Sequence, residues 1–310
     1  MSQLNLTSPI KFEPIFMERI WGGRQLGSEF GKKLPAQKKI GESWEIVDRP
    51  EAQSVVASGP LTGKTLHELW TNHRSSVFGD IPDAARFPLV VKILDAREKL
   101  SLQVHPPKEI ATKLGGEPKT EFWYVAAADE GAELLLGFCE PVSRNRFEEA
   151  LRGGTAADYV HKVRVKTGDA IFVPAGRLHA IGAGNLILEI QQNSDTTYRV
   201  FDWNRLDNEG KSRQLHIEEA LQCIDFNDVA PELVEPEGEL FEIEKWNLDR
   251  TRAVASPGQF AIVGCLSGNL SCANVDLAPG EFFAIPAQLG DRRLKPLCSD
   301  TSLLRVTIPV

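Results

Sequence analysis

At 310 residues, with 42% hydrophobic and 25% charged side chains, the chain can bury two cores of about 100 to 200 residues each, and a single small domain is excluded. Its net charge of −8 and pI of about 5.4 give nucleic acid and anionic membranes no long-range attraction. An anionic substrate must then be held by local cations, for which Lys119, Arg199 and Arg205 are the candidates. No window approaches the roughly 18 apolar residues of a membrane span, and the opening MSQLNLTSPIKF has no basic region leading into an apolar run, so a cytoplasmic location is expected. Cys139, Cys223, Cys265, Cys272 and Cys298 form no CxxC pair and read as reduced thiols.

Short β-branched runs punctuated by Gly, Pro and Asp predict a mainly β fold, two jelly-roll barrels with a few short helices. In chain order, Thr65-Leu-His-Glu68 is a capping box that predicts a helix ending near Gly79. Gln103 and His105 are two apart on an extended segment, so both face one side. Residues 106–114 open on Pro106 and close on Gly115-Gly116, a second helix. Glu121 then shares a mostly apolar face with Trp123 and Val125. A carboxylate there needs a partner, either Lys119 or a cation shared with Gln103 and His105. A third helix spans 143–152 and a fourth 216–224. His67, His73, His161 and His216 read as packing or surface residues.

The segment from Gly168 to His179 meets Gly-x5-Pro-x-Gly-x2-His at every specified position, the second signature of the cupin fold. Directly after it, Leu188-Glu189-Ile190-Gln191 alternates. Alternation alone favours a strand with a solvated polar face, whereas its place beside the metal turn assigns Glu189 to the site. An antiparallel return through residues 193–199 carries Arg199 back past the same point. A weak repeat lays Gly168–Gly176 on Gly280–Gln288, 112 positions later, with Gln288 for Gly176 and no histidine in the preceding strands. This divides the chain into a metal-bearing domain, 1–230, and a degenerate copy, 231–310, joined by the acidic stretch 227–239, which also suits a surface loop.

Gln103, His105, Glu121 and His179 make a mixed N,O donor set suited to zinc and its first-row neighbours. Singly, each histidine is more simply an ordinary polar residue near a strand end; the joint spacing favours one cage. Two rivals accept the same fold: an iron cupin oxygenase, for which Gln103 is a poor facial-triad residue, and a non-catalytic sugar sensor, which has no chemical need for both Lys119 and Arg199 beside a metal.

The blocks Ser101-Leu-Gln-Val-His-Pro106, Lys119-Thr-Glu121, Pro174-Ala-Gly-Arg-Leu-His179 and the run from Glu189 through Arg199 to Arg205 resemble the type I mannose-6-phosphate isomerases, specifically the short bacterial class. Trp21-Gly22-Gly23 and Gly41-Glu-Ser-Trp-Glu45 match as well. The resemblance covers most of residues 10–225 and implies a zinc-dependent interconversion of a phosphorylated aldose and ketose through a cis-enediol. It implies Gln103, His105, Glu121 and His179 as ligands of one zinc ion and Arg199 as the catalytic arginine. Lys119 and Glu189 become active-site residues and Ser101 a phosphate contact. The helical insert of the long members is absent, and with it the place of that insert's phosphate-binding lysines. On chemical grounds Glu189 is the preferred base. The expected partner is a phosphorylated hexose, with no nucleic acid or membrane; the sequence leaves open whether the chain also pairs with itself as a homodimer.

Overall fold

The computed structural model describes residues 6–206, 210–231 and 240–310, and they form a mainly β molecule. A six-stranded antiparallel sheet runs in the order Ile15–Gly23, Ile40–Ile46, Leu89–Ala96, Asn185–Gln192, Glu121–Ala128, Ala170–Val173. Facing it is a five-stranded sheet, Tyr198–Phe201, Leu102–Val104, His179–Ile181, Glu133–Phe138, Val160–Arg164. Trp123, Val125 and Ile187 of the first sheet pack on Leu134, Leu136 and Ile181 of the second. Two four-stranded sheets follow, one ordered Glu242–Asn247, Ser302–Thr307, Ala261–Ser267, Phe282–Ile285 and the other Arg252–Ala253, Arg293–Pro296, Leu270–Cys272, Val275–Leu277. Val263 and Leu303 meet Leu270 and Leu294 between them. Among the described residues each pair of sheets closes through side chains rather than through backbone pairing at its edges, so the expected barrels are open sandwiches.

The two sandwiches share a core. Ile10, Phe12, Phe78 and Phe87 cluster with Phe241, Phe260, Phe282 and Val306. Ile10 exchanges two 2.9 Å backbone hydrogen bonds with Ala284, so the start of the chain adds a bridge to the edge of the second half. The division at residue 230 therefore remains our proposal; of the stretch 227–239, residues 232–239 lie outside the described ones.

The helices show which local signals were sufficient. Thr65 caps Leu66–Asn72 through the reciprocal Glu68 bond, but the segment breaks at His73 (φ −134°, ψ 28°) and resumes as Arg74–Phe78, giving two helices for one. Ser143 caps Arg144–Gly153, and Gly154 ends it in the left-handed region. Residues 108–114 are one α turn and one 3-10 turn. The fourth is Ile217–Cys223.

The strand carrying Glu189 departs from the alternation reading. Asn185–Gln192 lies between Leu89–Ala96 and Glu121–Ala128, with Leu186, Leu188 and Ile190 in the shared core and Ile187 between the sheets. Both faces are covered, so Glu189 and Gln191 are buried rather than solvated.

Candidate metal centre

Register brings the distant residues together. Gln103 pairs with His179 on one side and with Arg199 on the other, so three chain segments converge across adjacent strands. Glu121, the first residue of its strand, enters from the opposite sheet. His105 lies just past the end of its strand, before Pro106. His105, Glu121 and His179 are each 1% exposed, and their ligand atoms lie within 4.8 Å of one another.

The hydrogen bonds behind the histidines fix their chemistry. His105 Nδ1 lies 2.9 Å from the carbonyl of Thr196, and His179 Nδ1 lies 2.9 Å from that of Arg177. A carbonyl can only accept, so each ring carries its proton on Nδ1 and turns the Nε2 lone pair inward, the arrangement that a ligating imidazole requires. Glu121 Oε2 is 3.4 Å from His105 Nε2 and Oε1 is 3.4 Å from His179 Nε2. Those separations are long for hydrogen bonds, yet two ligands each about 2.1 Å from a tetrahedral ion lie about 3.4 Å apart. Both Glu121 oxygens are buried and accept no hydrogen bond of good geometry, although Lys119 Nζ lies 2.8 Å from Oε2. A buried carboxylate facing two imidazole lone pairs fits a divalent cation.

Gln103 completes the set from the side. Its Nε2 lies 3.3 Å from His179 Nε2 while Oε1 accepts from Ser101 Oγ at 3.1 Å; turning the amide over directs the oxygen at the cage. Arg199 Nε donates to the same Ser101 Oγ at 3.1 Å, and its Nη1 to the carbonyl of Gln214 at 2.9 Å. Ser101, Gln103, Lys119, Glu121, His179, Glu189 and Arg199 thus line one cavity of about 270 Å³; His105 stands behind it against Glu121.

Electrostatics separate the two buried carboxyl groups. Burial pulls Glu121 upward, but Lys119 and the two histidines outweigh it and hold the group well below the ordinary carboxylate range. Burial, reinforced by the negative charge of Glu121, pushes Glu189 up despite Lys92 and Lys119. Burial, helped by Lys119, drives His105 down to about 3, and His179 is lowered chiefly by burial. Glu189 Oε1 lies 3.3 Å from Lys92 Nζ and 3.7 Å from Lys119 Nζ, while Oε2 accepts from Trp123 Nε1 at 3.1 Å. One carboxyl is thus tuned to stay charged and the other toward carrying a proton.

Beyond this geometry, residues 10–138 match the model of the catalytic domain of type I phosphomannose isomerase. The mannose-6-phosphate isomerase ManA of Bacillus subtilis is 37% identical over 305 residues, spanning 94% of this chain and 93% of its own. The chain belongs to the type I mannose-6-phosphate isomerase family. The mannose-6-phosphate isomerase of Streptococcus mutans is 38% identical over 274 residues, 83% of this chain and 85% of that one. The crystal structure of mannose 6-phosphate isomerase from Bacillus subtilis superposes with a TM-score of 0.88 at 36% identity, covering 97% of this chain and 100% of the other. The matched model holds Gln103, His105 and Glu121 of this isomerase, while His179, Glu189 and Arg199 lie beyond it.

Two differences from the sequence reading concern charge. Arg205 is not in the cavity; its guanidinium is spent on Asp202 at 2.5 Å and on the carbonyl of Lys99. Lys92, Arg19 and Arg213 do line the cavity, with Arg19 3.0 Å from Glu42 and Arg213 paired to Asp202. Lys92 had a readable signal, a lone lysine within the apolar run Leu-Val-Val-Lys-Ile-Leu. Among the described residues no helix is long and apolar enough to cross a membrane.

Proposed function

We propose that this isomerase interconverts mannose 6-phosphate and fructose 6-phosphate with one zinc ion held by Gln103, His105, Glu121 and His179. The carrying observation is the meeting of two opposed features in one buried cavity. One is a Glu/His/His cage whose lone pairs all point inward; the other is a second carboxyl, Glu189, pushed up and gripped by two lysines and an indole N–H. When bound, the ion would act as a Lewis acid toward the sugar oxygens at C1 and C2.

The chain's own groups supply the rest. Glu189, as carboxylate, takes the C2 proton of the open-chain aldose, the electron pair moves into the C1–C2 bond, and the C1 oxygen takes up negative charge. Lys119 and Arg199 face that oxygen as fixed cations. The Glu189 carboxyl then returns its proton to C1 while the hydroxyl proton passes from O2 to O1, so the cis-enediol collapses to the ketose with atoms and charge balanced. Burial favours both parts, because it excludes water from the enediol and brings the base nearer neutrality. Ser101, bridging Gln103 and Arg199, is suited to contact the phosphate.

The test is a coupled assay of fructose 6-phosphate formation from mannose 6-phosphate, before and after chelation and after zinc is restored. Turnover lost to the chelator and regained with zinc supports the reading. Binding of mannose 6-phosphate without any ketose points to the sensor, and oxygen consumption with iron to the oxygenase.

A further inference from the structure

The turn between Val173 and His179 carries more of the cage than its single ligand. Gly176 donates its N–H to the carbonyl of His105 at 2.9 Å, and the carbonyl of Arg177 accepts from His179 Nδ1 at 2.9 Å. Both histidines therefore hang from one short stretch of backbone. Gly176 has φ +92°, and a Cβ there would meet Cys223 O at 3.3 Å and Pro107 Cγ at 3.5 Å, so the turn is enclosed as well as strained for any other residue.

What fastens the turn is Arg177. Its Nε and Nη2 reach the two oxygens of Asp228 at 2.8 and 3.0 Å, a bidentate pair, and its Nη1 donates to Phe172 O at 2.8 Å. The partners are only 13% and 15% exposed, and neither lines the cavity. Asp228 is itself anchored, since its carbonyl accepts from Phe138 N at 2.8 Å and nearby Asp225 N donates to Gly176 O at 2.9 Å.

We infer that Asp228 is a positioning residue for the metal centre. Through Arg177 it holds the turn that aims the His179 ring and ties down the backbone of His105, and so it sets how tightly the cage grips its cation. Orienting partners of metal ligands are worth about 10- to 100-fold in affinity. A lysine at position 177 cannot reproduce the planar two-point contact.

The inference rests on the metal reading of the cage, and a readout independent of turnover separates the two. Metal-stripped protein is titrated with zinc against a chromophoric chelator. Asp228→Asn and Arg177→Lys are expected to bind zinc about 10- to 100-fold more weakly than the unaltered chain, with the Tm of the stripped protein falling by less than that of the zinc-loaded protein. Asp228→Glu, which keeps the carboxylate, should recover part of the loss. Unchanged zinc affinity in both variants, or a stripped Tm that falls as far as the loaded one, would overturn the positioning role. Failure of the unaltered chain to bind zinc would instead remove the cage reading itself.

Discussion

The strands Glu121–Ala128 with Ala170–Val173 and Ala261–Ser267 with Phe282–Ile285 occupy the same place in the two sandwiches and run in the same register. Glu121 faces Val173 as Ala261 faces Ile285, and Trp123 faces Ile171 as Val263 faces Phe283. The preceding turns match too, Gly168 at φ +97° and Gly280 at φ +75°. The next strands extend the correspondence. Glu189 lies between Trp123 and Lys92, and Arg305 lies between Val263 and Glu244. Where the first sandwich has a lysine and a glutamate, the second has a glutamate and an arginine, an ion pair of reversed sense. The first pair is 6% and 3% exposed; in the second, Glu244 is 49% exposed and Arg305 also donates Nε to the carbonyl of Val254 at 2.6 Å. One backbone thus carries a buried, incompletely satisfied charge set in one copy and an apolar core with charges at its rim in the other. Burying charge costs free energy even where it is paired, so a buried charge cluster in one sandwich alone points to chemistry there.

Matched substitutions test that contrast. Glu121→Gln removes the cage's only carboxylate and should weaken zinc binding more than about 100-fold, beyond the range for orienting residues, with isomerase activity falling alongside. At the matching position Ala261→Val should cost about 1–3 kcal/mol of stability by overpacking and leave zinc content and kcat unchanged. Metal analysis with thermal unfolding reads both, and similar behaviour of the two variants would erase the distinction between the copies. One step smaller, Glu189→Gln should leave zinc content intact and lower kcat at least about 100-fold, whereas Arg305→Gln should lower Tm without touching kcat. Arg199→Ala should lose turnover comparably with an intact fold. Retained turnover in Glu189→Gln would move the base elsewhere.

The cage was legible because its signals are local: an i, i+2 pair on an extended segment and a metal turn with glycine and proline at fixed places. Its surroundings were not. A lone lysine in an apolar run marks Lys92 as unusual, but its place in the cavity follows from the strand's position third in a six-stranded sheet, which no local pattern encodes. Alternation taken alone would misplace Glu189 and Gln191 for the same reason, since only the tertiary cover on both faces makes them interior; it was position beside the metal turn that assigned Glu189 to the site. The helix Gln25–Phe30 had no local start signal. Its first N–H is taken by Asp95 Oδ2 at 2.6 Å, a residue 70 positions away, and Gly27 lies within it. Arg205 erred in the other direction, because its position after Arg199 suggested the cavity while Asp202, three residues before it, captures the guanidinium.

The smallest expected effect isolates the histidines, all six of which precede residue 217, so the second half has none. Burial first and Lys119 second hold His105 at about 3 in the folded chain, against about 6.5 when unfolded. Between those values the unfolded chain binds a proton that the folded chain refuses, so stability falls as pH falls through this window and is unaffected above it. From pH 7 to pH 5 the loss from this one group comes to about 2 kcal/mol. Glu189 works in the opposite sense, because its raised pKa lets the folded chain accept a proton before the unfolded one does, and acid relieves it. His105→Gln leaves Glu189 in place and removes only the imidazole. The metal-stripped variant should therefore lose less Tm than the parent over the same pH range, by the few degrees that about 2 kcal/mol represents. Parallel Tm curves for the two proteins would mean that His105 titrates normally in the fold and that the inward lone pair is not held ready for a cation.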